Sequence, residues 1–284
     1  MAIPVTIIIL TKNEEENLPK VATSIPWCDD VHVVDSLSTD GTLAAAKALG
    51  MQTWSNAFRG FGDQRNWALD HCTIKHPWVL FLDADEKSTP AFASELERVV
   101  TSSAGSVAGY YCSWKMIVEE VWLKRCDNFP KWQFRLLRVG RARFADFGHG
   151  QKEAEVQGDI LYMKEPYEHR PFSKGWADWL DRHNRYSTRE AEERVDLPIN
   201  FGNMLSGHGA VRNRALKAFV SRVPGWPIVR FCVPYFLKLG FLEGRVGFTY
   251  CLNLAYYEYL IQVKIREIRT HRLMSSKSSA GSAP

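Results

Sequence analysis

The sequence predicts an α/β protein built on a doubly wound, mostly parallel β-sheet. Four strand-like runs alternate with helix-like segments over residues 1–90, which is the pattern of consecutive β-α units. Two of these runs, residues 5–10 and 78–82, are almost entirely apolar, as expected for strands covered on both faces. Polar residues follow the runs directly, which places them at the carboxyl edge of the sheet, where open α/β folds bind ligands.

The individual elements follow from the apolar pattern. Strands are expected over residues 5–10, 31–34, 51–54 and 78–82. Helices are expected over residues 15–25, from 40 or 42 to about 50, over 60–71, and from 90 onward. Asp40 or Thr42 can cap the second helix and Ser88 or Thr89 the fourth, because their oxygens accept hydrogen bonds from the free N–H groups of a first turn.

Asp83 and Asp85 follow the fourth strand and form the first candidate site. A helix start comes soon after them, so the chain leaves the sheet here and both acids lie in a loop at its carboxyl edge. Hard oxygen donors in this place suit Mg²⁺ or Mn²⁺, which usually accompany phosphates. A solvated acidic turn is the alternative. Two other motifs do not fit, because residue 87 is a lysine. An EF-hand loop would need an oxygen ligand at this position, and a haloacid dehalogenase-type phosphatase would need Thr or Val there.

Composition indicates an ordinary globular chain with an uneven charge. The 284 residues are 45% hydrophobic and 24% charged, with a net charge of +4. Residues 201–275 contain eleven Lys and Arg against three Glu, so the cationic excess lies in the C-terminal part. Six cysteines form no Cys-x-x-Cys pair and the N-terminus lacks the basic region of a signal peptide, which favours a reducing, cytosolic compartment. No stretch is long and uncharged enough for a spanning helix.

The first β-α turn excludes two common nucleotide-binding motifs. Residues 11–14 contain no glycine, so neither a dinucleotide-binding glycine-rich turn nor a P-loop is present. A bound nucleotide would have to be held by side chains at strand ends and by a metal ion. Asp35, which ends the second strand, is a candidate, and Asp40 either assists it or caps the following helix.

Four motifs in this order and spacing resemble family 2 glycosyltransferases with the GT-A fold. They are the strand leading into residues 11–14, then residues 34–42 (VDSLSTDGT), 64–68 (QRNWA) and 82–86 (LDADE). Later segments are similar to the lipopolysaccharide-core β-glucosyltransferase branch. These segments are residues 134–138 (FRLLR), 167–169 (YEH), 183–187 (HNRYS) and 235–244 (YFLKLGFLEG).

The resemblance implies a donor site for a nucleotide-sugar, usually a UDP-sugar. Thr11, Asn13 or Glu14, and Asp35 would contact the base and ribose, and Arg65 would lie near the nucleotide or its phosphates. Asp83 would face the ribose. Asp85 would bind the divalent metal, with Asp83 as a second candidate ligand. Neutralising the diphosphate as it leaves is the chemistry that Mg²⁺ or Mn²⁺ supplies.

The resemblance also implies an acceptor base, a further metal ligand and a phosphate contact. Glu153 best fits the family position of the base, and Asp146 and His149 are its rivals; a solvated strand is the alternative reading. His169 matches a histidine that many GT-A enzymes use as a metal ligand or phosphate contact. Lys174, Arg182 and Arg185 could close over the diphosphate, because cationic side chains, above all the planar guanidinium of arginine, bind phosphate oxygens.

The C-terminal part mixes basic, aromatic and aliphatic residues. This composition favours a helical region, residues 201–274, that lies on an anionic membrane surface, followed by a disordered tail at 275–284. Packing on the catalytic domain of residues 1–200 or on a second copy in a homo-oligomer is the alternative. No nucleic-acid-binding motif accompanies the charge, so nucleic acid is not an expected partner.

Together these features predict an inverting, metal-dependent hexosyltransferase. We expect it to use UDP-glucose or a similar UDP-hexose and to extend a lipopolysaccharide-core or lipid-linked glycan at the cytoplasmic face of a bacterial inner membrane. Two alternatives are a nucleotidyltransferase of similar sheet topology, which would carry a glycine-rich first turn, and a non-catalytic, membrane-associated assembly protein that keeps the fold alone.

Overall fold

The chain forms two compact units. The computed structural model describes residues 2–147 and 150–280. One unit comprises Met1–Lys124 and Asn128–Ser173, and the other comprises Arg125–Asp127 and Lys174–Pro284. The first unit therefore ends at Ser173, whereas the sequence led us to expect a catalytic domain up to residue 200.

The first unit is an α/β sheet. Its strands are β1 (Thr6–Thr11), β2 (Val31–Asp35), β3 (Gln52–Ser55), β4 (Trp78–Asp83), β5 (Glu86–Lys87), β6 (Val107–Val118), β7 (Val121–Trp122), β8 (Trp132–Arg138), β9 (Arg143–Phe147), β10 (Gly150–Ala154), β11 (Asp159–Tyr162) and β12 (Tyr167–His169). Its helices are α1 (Leu18–Ala22), α2 (Thr42–Ala48), α3 (Phe61–His71) and α4 (Pro90–Ser102). The main sheet runs β3-β2-β1-β4-β8-β6-β12-β5, and β9 pairs with β10 in a separate two-stranded sheet.

The N-terminal half of the sheet is parallel, as predicted. Strands β3, β2, β1 and β4 are parallel neighbours, and the three isoleucines of β1, residues 7–9, are fully buried. Thr11 of β1 lies opposite Asp35 of β2, and Leu10 lies opposite Asp83 of β4. This register brings the ends of three strands to one edge of the sheet and confirms the predicted fold class.

The remainder of the sheet is mixed. Strand β8 is antiparallel to both β4 and β6, an arrangement that the β-α pattern did not predict. After β4 the chain makes a short turn and enters β5, which pairs with β12 so that Glu86 lies opposite His169. Helix α4 then begins at Pro90, and the hydroxyl of Thr89 accepts a hydrogen bond from the N–H of Phe92 at 3.1 Å. The helix cap is therefore Thr89, one of the two predicted residues.

The second unit is helical. Its elements are α5 (Gly175–Val195), α6 (Phe201–Met204), α7 (Gly209–Val220), α8 (Trp226–Cys232), a π-helical turn (Val233–Leu237), a 3₁₀ turn (Gly240–Glu243) and α9 (Gly244–Ala280). Helix α9 continues to Ala280, where we expected a disordered tail from Ser275; residues 281–284 lie outside the described part of the chain. Over the described residues, no helix has both the length and the apolar character needed to cross a bilayer.

A buried ion-pair network joins three helices of the second unit. Arg194 of α5 donates to Glu190 at 2.6 Å and to Glu258 of α9 at 3.1 Å, and Lys217 of α7 donates to Glu190 at 3.1 Å. Apolar residues of α5 and α9, among them Val195 and Ile261, pack beside it. Burial disfavours the charged form of Glu190, but the two cations outweigh this effect and lower its pKa.

We expect Glu190→Gln to destabilise the second unit, because Arg194 and Lys217 then lose their shared carboxylate. At neutral pH the loss should be about 2 kcal/mol, or roughly 5 °C in melting temperature. The folded pKa of Glu190 is lowered, so its stabilisation is present above the ordinary glutamate pKa and is lost as the pH falls through the lowered value. The difference between the two proteins should therefore close below about pH 4.

Thermal unfolding followed by circular dichroism across this pH range measures the effect. Asp196→Asn is the matched control, since Asp196 forms an exposed ion pair with Arg272 and should matter little. A Gln variant as stable as the wild type at pH 7 would contradict the assignment.

Candidate functional site

One carboxylate and two hydroxyls meet at the carboxyl edge of the parallel strands. The Thr11 hydroxyl donates a hydrogen bond to Asp35 at 2.9 Å, and both side chains are buried. The Asp35 carboxylate also accepts the backbone N–H of Ser38 at 2.7 Å and the Ser38 hydroxyl. Asp35 therefore lies where the sequence predicted, and it also holds the loop that follows β2.

The loops after β1 and β2 are tied together. Asn13 has a left-handed backbone, with φ of 56°, and its N–H donates to the Ser38 hydroxyl at 2.7 Å. The side-chain oxygen of Asn13 accepts the N–H of Thr39 at 2.8 Å. The N–H of Glu14 donates to the Thr42 hydroxyl at 2.8 Å. These bonds place Asn13 and Glu14 beside Asp35 on one polar rim.

Asp83 is held by a buried arginine. Arg135 of β8 donates to the two Asp83 oxygens at 3.2 and 2.7 Å and to Glu86 at 2.7 Å. Glu86 in turn accepts the backbone N–H of Asp83 at 2.8 Å. Arg135 and Glu86 are almost completely buried, whereas the Asp83 side chain remains 39% exposed. The cluster thus fixes the start of the acidic turn and leaves one face of Asp83 open.

The two carboxylates of this cluster have opposite pKa shifts. Burial raises the pKa of Glu86 to about 7, with Arg135 opposing the rise and Asp83 adding to it. Burial also acts against the charged form of Asp83, but Arg135 and Arg65 outweigh it and hold the pKa of Asp83 well below its usual range. Asp83 therefore favours its charged form more than Glu86 does, because Arg135 donates two hydrogen bonds to Asp83 and one to Glu86.

Arg65 of α3 lies beside Asp83, at the edge of the cluster that Arg135, Asp83 and Glu86 form. Its guanidinium is within 3.5 Å of Asp83 and lies 5.4 Å from the centre of the Phe81 ring. Burial and the neighbouring charge of Arg135 lower the pKa of Arg65 to about 10. Its Nε is buried and has no hydrogen-bond acceptor among the described residues. Arg65 is thus a buried cation beside Asp83, and its Nε–H makes no hydrogen bond to the described residues.

Asp85 and His169 are the side chains that best fit a divalent cation. Nε2 of His169 lies 3.4 Å from the Asp85 carboxylate, and both side chains are partly exposed. Nδ1 of His169 is buried without a partner in the described part of the chain. Burial lowers the proton affinity of the ring, but Asp85, Glu86 and Asp83 outweigh it and raise the pKa of His169 to about 9.

A cation at this pair would need further ligands. Among the described residues no three His, Cys, Asp or Glu side chains form a metal site by themselves. Two protein ligands completed by phosphate oxygens and water are the usual arrangement for Mg²⁺ at phosphate-transfer sites. The donor set therefore fits an ion that arrives with a diphosphate. Asp83 fits the role of ligand less well, since the positive charge of Arg135, which donates to both of its oxygens, opposes a second cation there.

Two of the three candidate bases lie on β9 and β10. Glu153 of β10 is half-buried and accepts a hydrogen bond from the phenol of Tyr111; burial and this bond raise the pKa of Tyr111 above its usual range. Asp146 of β9 instead accepts the backbone N–H of Gly62 at 2.7 Å, in the first turn of α3. His149 lies outside the described residues. Asp146 thus has a structural role that Glu153 lacks.

The predicted phosphate contacts beyond β12 belong to the second unit. Arg185 is exposed on α5, and Lys174 and Arg182 belong to the same segment. Arg182 forms an ion pair with Asp178 one helical turn away, at 2.8 Å. Among these three residues, Arg185 has the side chain most open to solvent.

Sequence reasoning missed the central position of Arg135. The motif of residues 134–138 contains Arg135 but does not show that this residue joins Asp83 and Glu86. A charged residue within the apolar run 134–137 is a usable signal, because a cation in a buried strand requires a carboxylate partner. Tyr167 was missed in the same way. Its hydroxyl is fully buried close to this cluster and has no hydrogen-bond partner among the described residues.

Comparisons with known proteins found a family model and several similar sequences. A family model described as glycosyl transferase family 2 matches residues 6–151. The lipopolysaccharide core biosynthesis glycosyltransferase LpsC of Rhizobium meliloti (strain 1021) is 27% identical over 283 residues, covering 93% of this chain and 92% of that protein. An uncharacterized glycosyltransferase of Mycobacterium bovis is 32% identical over 237 residues, covering 79% of this chain and 97% of its own.

A solved structure was also matched. Glucosyl-3-phosphoglycerate synthase from Mycobacterium tuberculosis, in complex with Mn²⁺, uridine diphosphate and glucosyl-3-phosphoglycerate, aligns at 22% identity and a TM-score of 0.34. The alignment covers 39% of this chain and 44% of that one.

The cap that Asp146 provides to α3 gives a testable expectation. Asp146→Ala removes the acceptor of the Gly62 N–H and should cost about 1 kcal/mol of stability, measured by urea unfolding. Asp146→Asn keeps an acceptor oxygen and should retain most of that stability. If the Ala variant unfolds at the wild-type urea concentration, Asp146 does not cap the helix.

Proposed function

Because the chain belongs to glycosyl transferase family 2, and is therefore a glycosyltransferase, we propose that it transfers a hexose from a UDP-sugar, with UDP-glucose as the first candidate. The acceptor in this proposal is a lipopolysaccharide-core or lipid-linked glycan, in keeping with the name of its relative LpsC. One observation carries the proposal. Asp83 and Asp85 lie in a turn at the edge of the sheet, with His169 beside Asp85 and with Asp83 beside the rim that holds Thr11 and Asp35.

In this proposal the polar rim binds the nucleoside. Thr11, Asp35 and the loops that contain Asn13 and Glu14 offer oxygens and N–H groups of fixed orientation to the base and ribose. Asp83 is oriented by Arg135 and presents its exposed face to the ribose. Arg65 supplies positive charge behind it.

The metal in this proposal is Mg²⁺ or Mn²⁺, held by Asp85 and His169. When bound there, the ion would neutralise the charge that develops on the departing diphosphate. Asp83 is assigned to the ribose rather than to the metal, because the positive charge of Arg135, which donates to both of its oxygens, opposes a second cation there. The pairing of β5 with β12 holds the two proposed metal ligands in place.

Glu153 is the proposed acceptor base. A general base must hold the proton of the attacking hydroxyl, and a half-buried carboxylate is suited to that task. The hydrogen bond from Tyr111 orients the carboxylate. Asp146 is the second candidate, and its hydrogen bond to α3 makes it the weaker one. In an inverting transfer the base lies on the sugar face opposite the leaving diphosphate.

The site of action in this proposal is the cytoplasmic face of the bacterial inner membrane. A lipid-linked acceptor is confined to a bilayer, so an enzyme that binds the membrane surface meets a higher local concentration of it. The cationic excess of residues 201–275 supports attachment to anionic lipid.

We expect the wild-type protein with Mn²⁺ to release UDP from UDP-glucose, and Asp85→Ala to lose the metal-dependent part of UDP binding. Removing a charged ligand should weaken that binding by roughly 10- to 100-fold in isothermal titration with Mn²⁺ present. Glu97→Ala, at an exposed acid of α4, is the matched control. The proposed activity is excluded if no UDP-sugar yields UDP, with or without membrane extract.

The base assignment is tested by Glu153→Gln. The amide cannot take a proton, so transfer to the acceptor should fall by about 10²- to 10⁴-fold while UDP-sugar affinity is unchanged. Glu155→Gln, two residues further along the chain, controls for the loss of a nearby charge. Near-normal turnover of Glu153→Gln would move the role of the base to Asp146 or another residue.

A further inference from the structure

The second unit carries an exposed apolar surface on three short consecutive elements. We define this C-terminal apolar surface by six residues, which lie in α8, in the π-helical turn, in the 3₁₀ turn and, for Leu239, between the two turns. They are Ile228, Phe236, Leu237, Leu239, Phe241 and Leu242, with exposed fractions of 69%, 54%, 78%, 45%, 44% and 57%. Large aliphatic and aromatic side chains this open to water, and this close together in the chain, indicate a binding surface.

An aromatic cluster lies beside this surface and shares Phe241 with it. Tyr235 lies 5.0 Å from Phe231, 6.3 Å from Phe241 and 5.6 Å from Phe248, measured between ring centres. These rings form a small aromatic cluster that supports the turns. Leu239 adopts a left-handed backbone with φ of 60°, which is unfavourable for a leucine. Leu239 therefore keeps a strained backbone while its side chain is 45% exposed.

The charge around this surface is positive. Residues 197–257 contain seven Lys and Arg and one acid, Glu243. Glu243 is buried, and its carboxylate accepts the backbone N–H groups of Arg125 and Cys126. The acid therefore adds little negative charge to the surface, whereas Lys238 and Arg245 are exposed and Arg230 is half-buried. Exposed apolar residues flanked by cations fit an anionic lipid bilayer.

We propose that this surface inserts shallowly into the headgroup region of a bilayer that contains anionic lipid. The apolar side chains would enter the acyl boundary while Lys238 and Arg245 contact lipid phosphates. A second copy of the chain fits less well, because a symmetric contact would bring the same cations of two protomers together. The inference deepens the proposed function, since it identifies the surface that brings the enzyme to a lipid-linked acceptor.

The test is co-sedimentation of the full chain with vesicles. Wild-type protein should pellet with vesicles of phosphatidylcholine and phosphatidylglycerol and remain in solution with phosphatidylcholine alone. Leu237→Glu should abolish pelleting, because it places a carboxylate at the most exposed of the six positions of this surface. Arg245→Glu should weaken partitioning roughly 25-fold, as expected when one cation near an anionic surface is reversed.

Leu273→Glu is the matched control. Leu273 is 63% exposed on the same unit, and it lies about 40 Å along α9 from Gly244 at the helical rise per residue. This variant should pellet like the wild type. UDP release from UDP-glucose, measured without vesicles, should be equal in all four proteins. If the wild-type protein binds vesicles yet releases no UDP, the inference holds and the proposed function fails.

Two outcomes would overturn the inference. One is Leu237→Glu pelleting as the wild type does. The other is a wild-type protein that ignores both kinds of vesicle and is a dimer by light scattering, with Leu237→Glu converting it to a monomer. The second result would assign the surface to a contact between two copies.

Discussion

The contact between Arg135 and Asp83 is the interaction on which the candidate site depends. A guanidinium in a buried strand is costly unless carboxylates neutralise it, and Asp83 and Glu86 are the two that do so. The same contact orients Asp83 at the end of β4 and, through Glu86, fixes the backbone of the acidic turn. Asp85 follows in this turn and lies beside His169 of the neighbouring strand β12. The position of the proposed metal ligands therefore follows from a charge balance inside the sheet.

Much of the fold could be predicted from local sequence. The buried strands of the first unit are continuous apolar runs, and the ends of these runs mark Thr11, Asp35 and Asp83 without any long-range information. Parallel pairing then brings these residues to one edge. The family and its likeness to a lipopolysaccharide-core enzyme were also predicted from motifs, and both are confirmed by the comparisons.

Other features could not be predicted because they depend on residues far apart in the sequence. Arg135 and Asp83 are 52 positions apart, and their contact requires β8 to lie antiparallel beside β4. Asp146 is a candidate base because the family resemblance implies a base in this part of the chain. Its hydrogen bond to Gly62, 84 positions away, becomes visible only when α3 and β9 are both in place. Local patterns identify acids, but they do not show which acids already have partners.

The order of the chain has a consequence for how the protein is made. Residues 125–127 belong to the second unit although they are flanked by residues of the first, and the N–H groups of Arg125 and Cys126 are satisfied by Glu243, which follows more than 110 positions later. During synthesis these N–H groups therefore cannot bind the Glu243 carboxylate until the start of α9 has left the ribosome. A shortened chain that stops at Ser173 would keep the sheet but leave this segment without its carboxylate. The two units are consequently not separable by a single cut in the polypeptide.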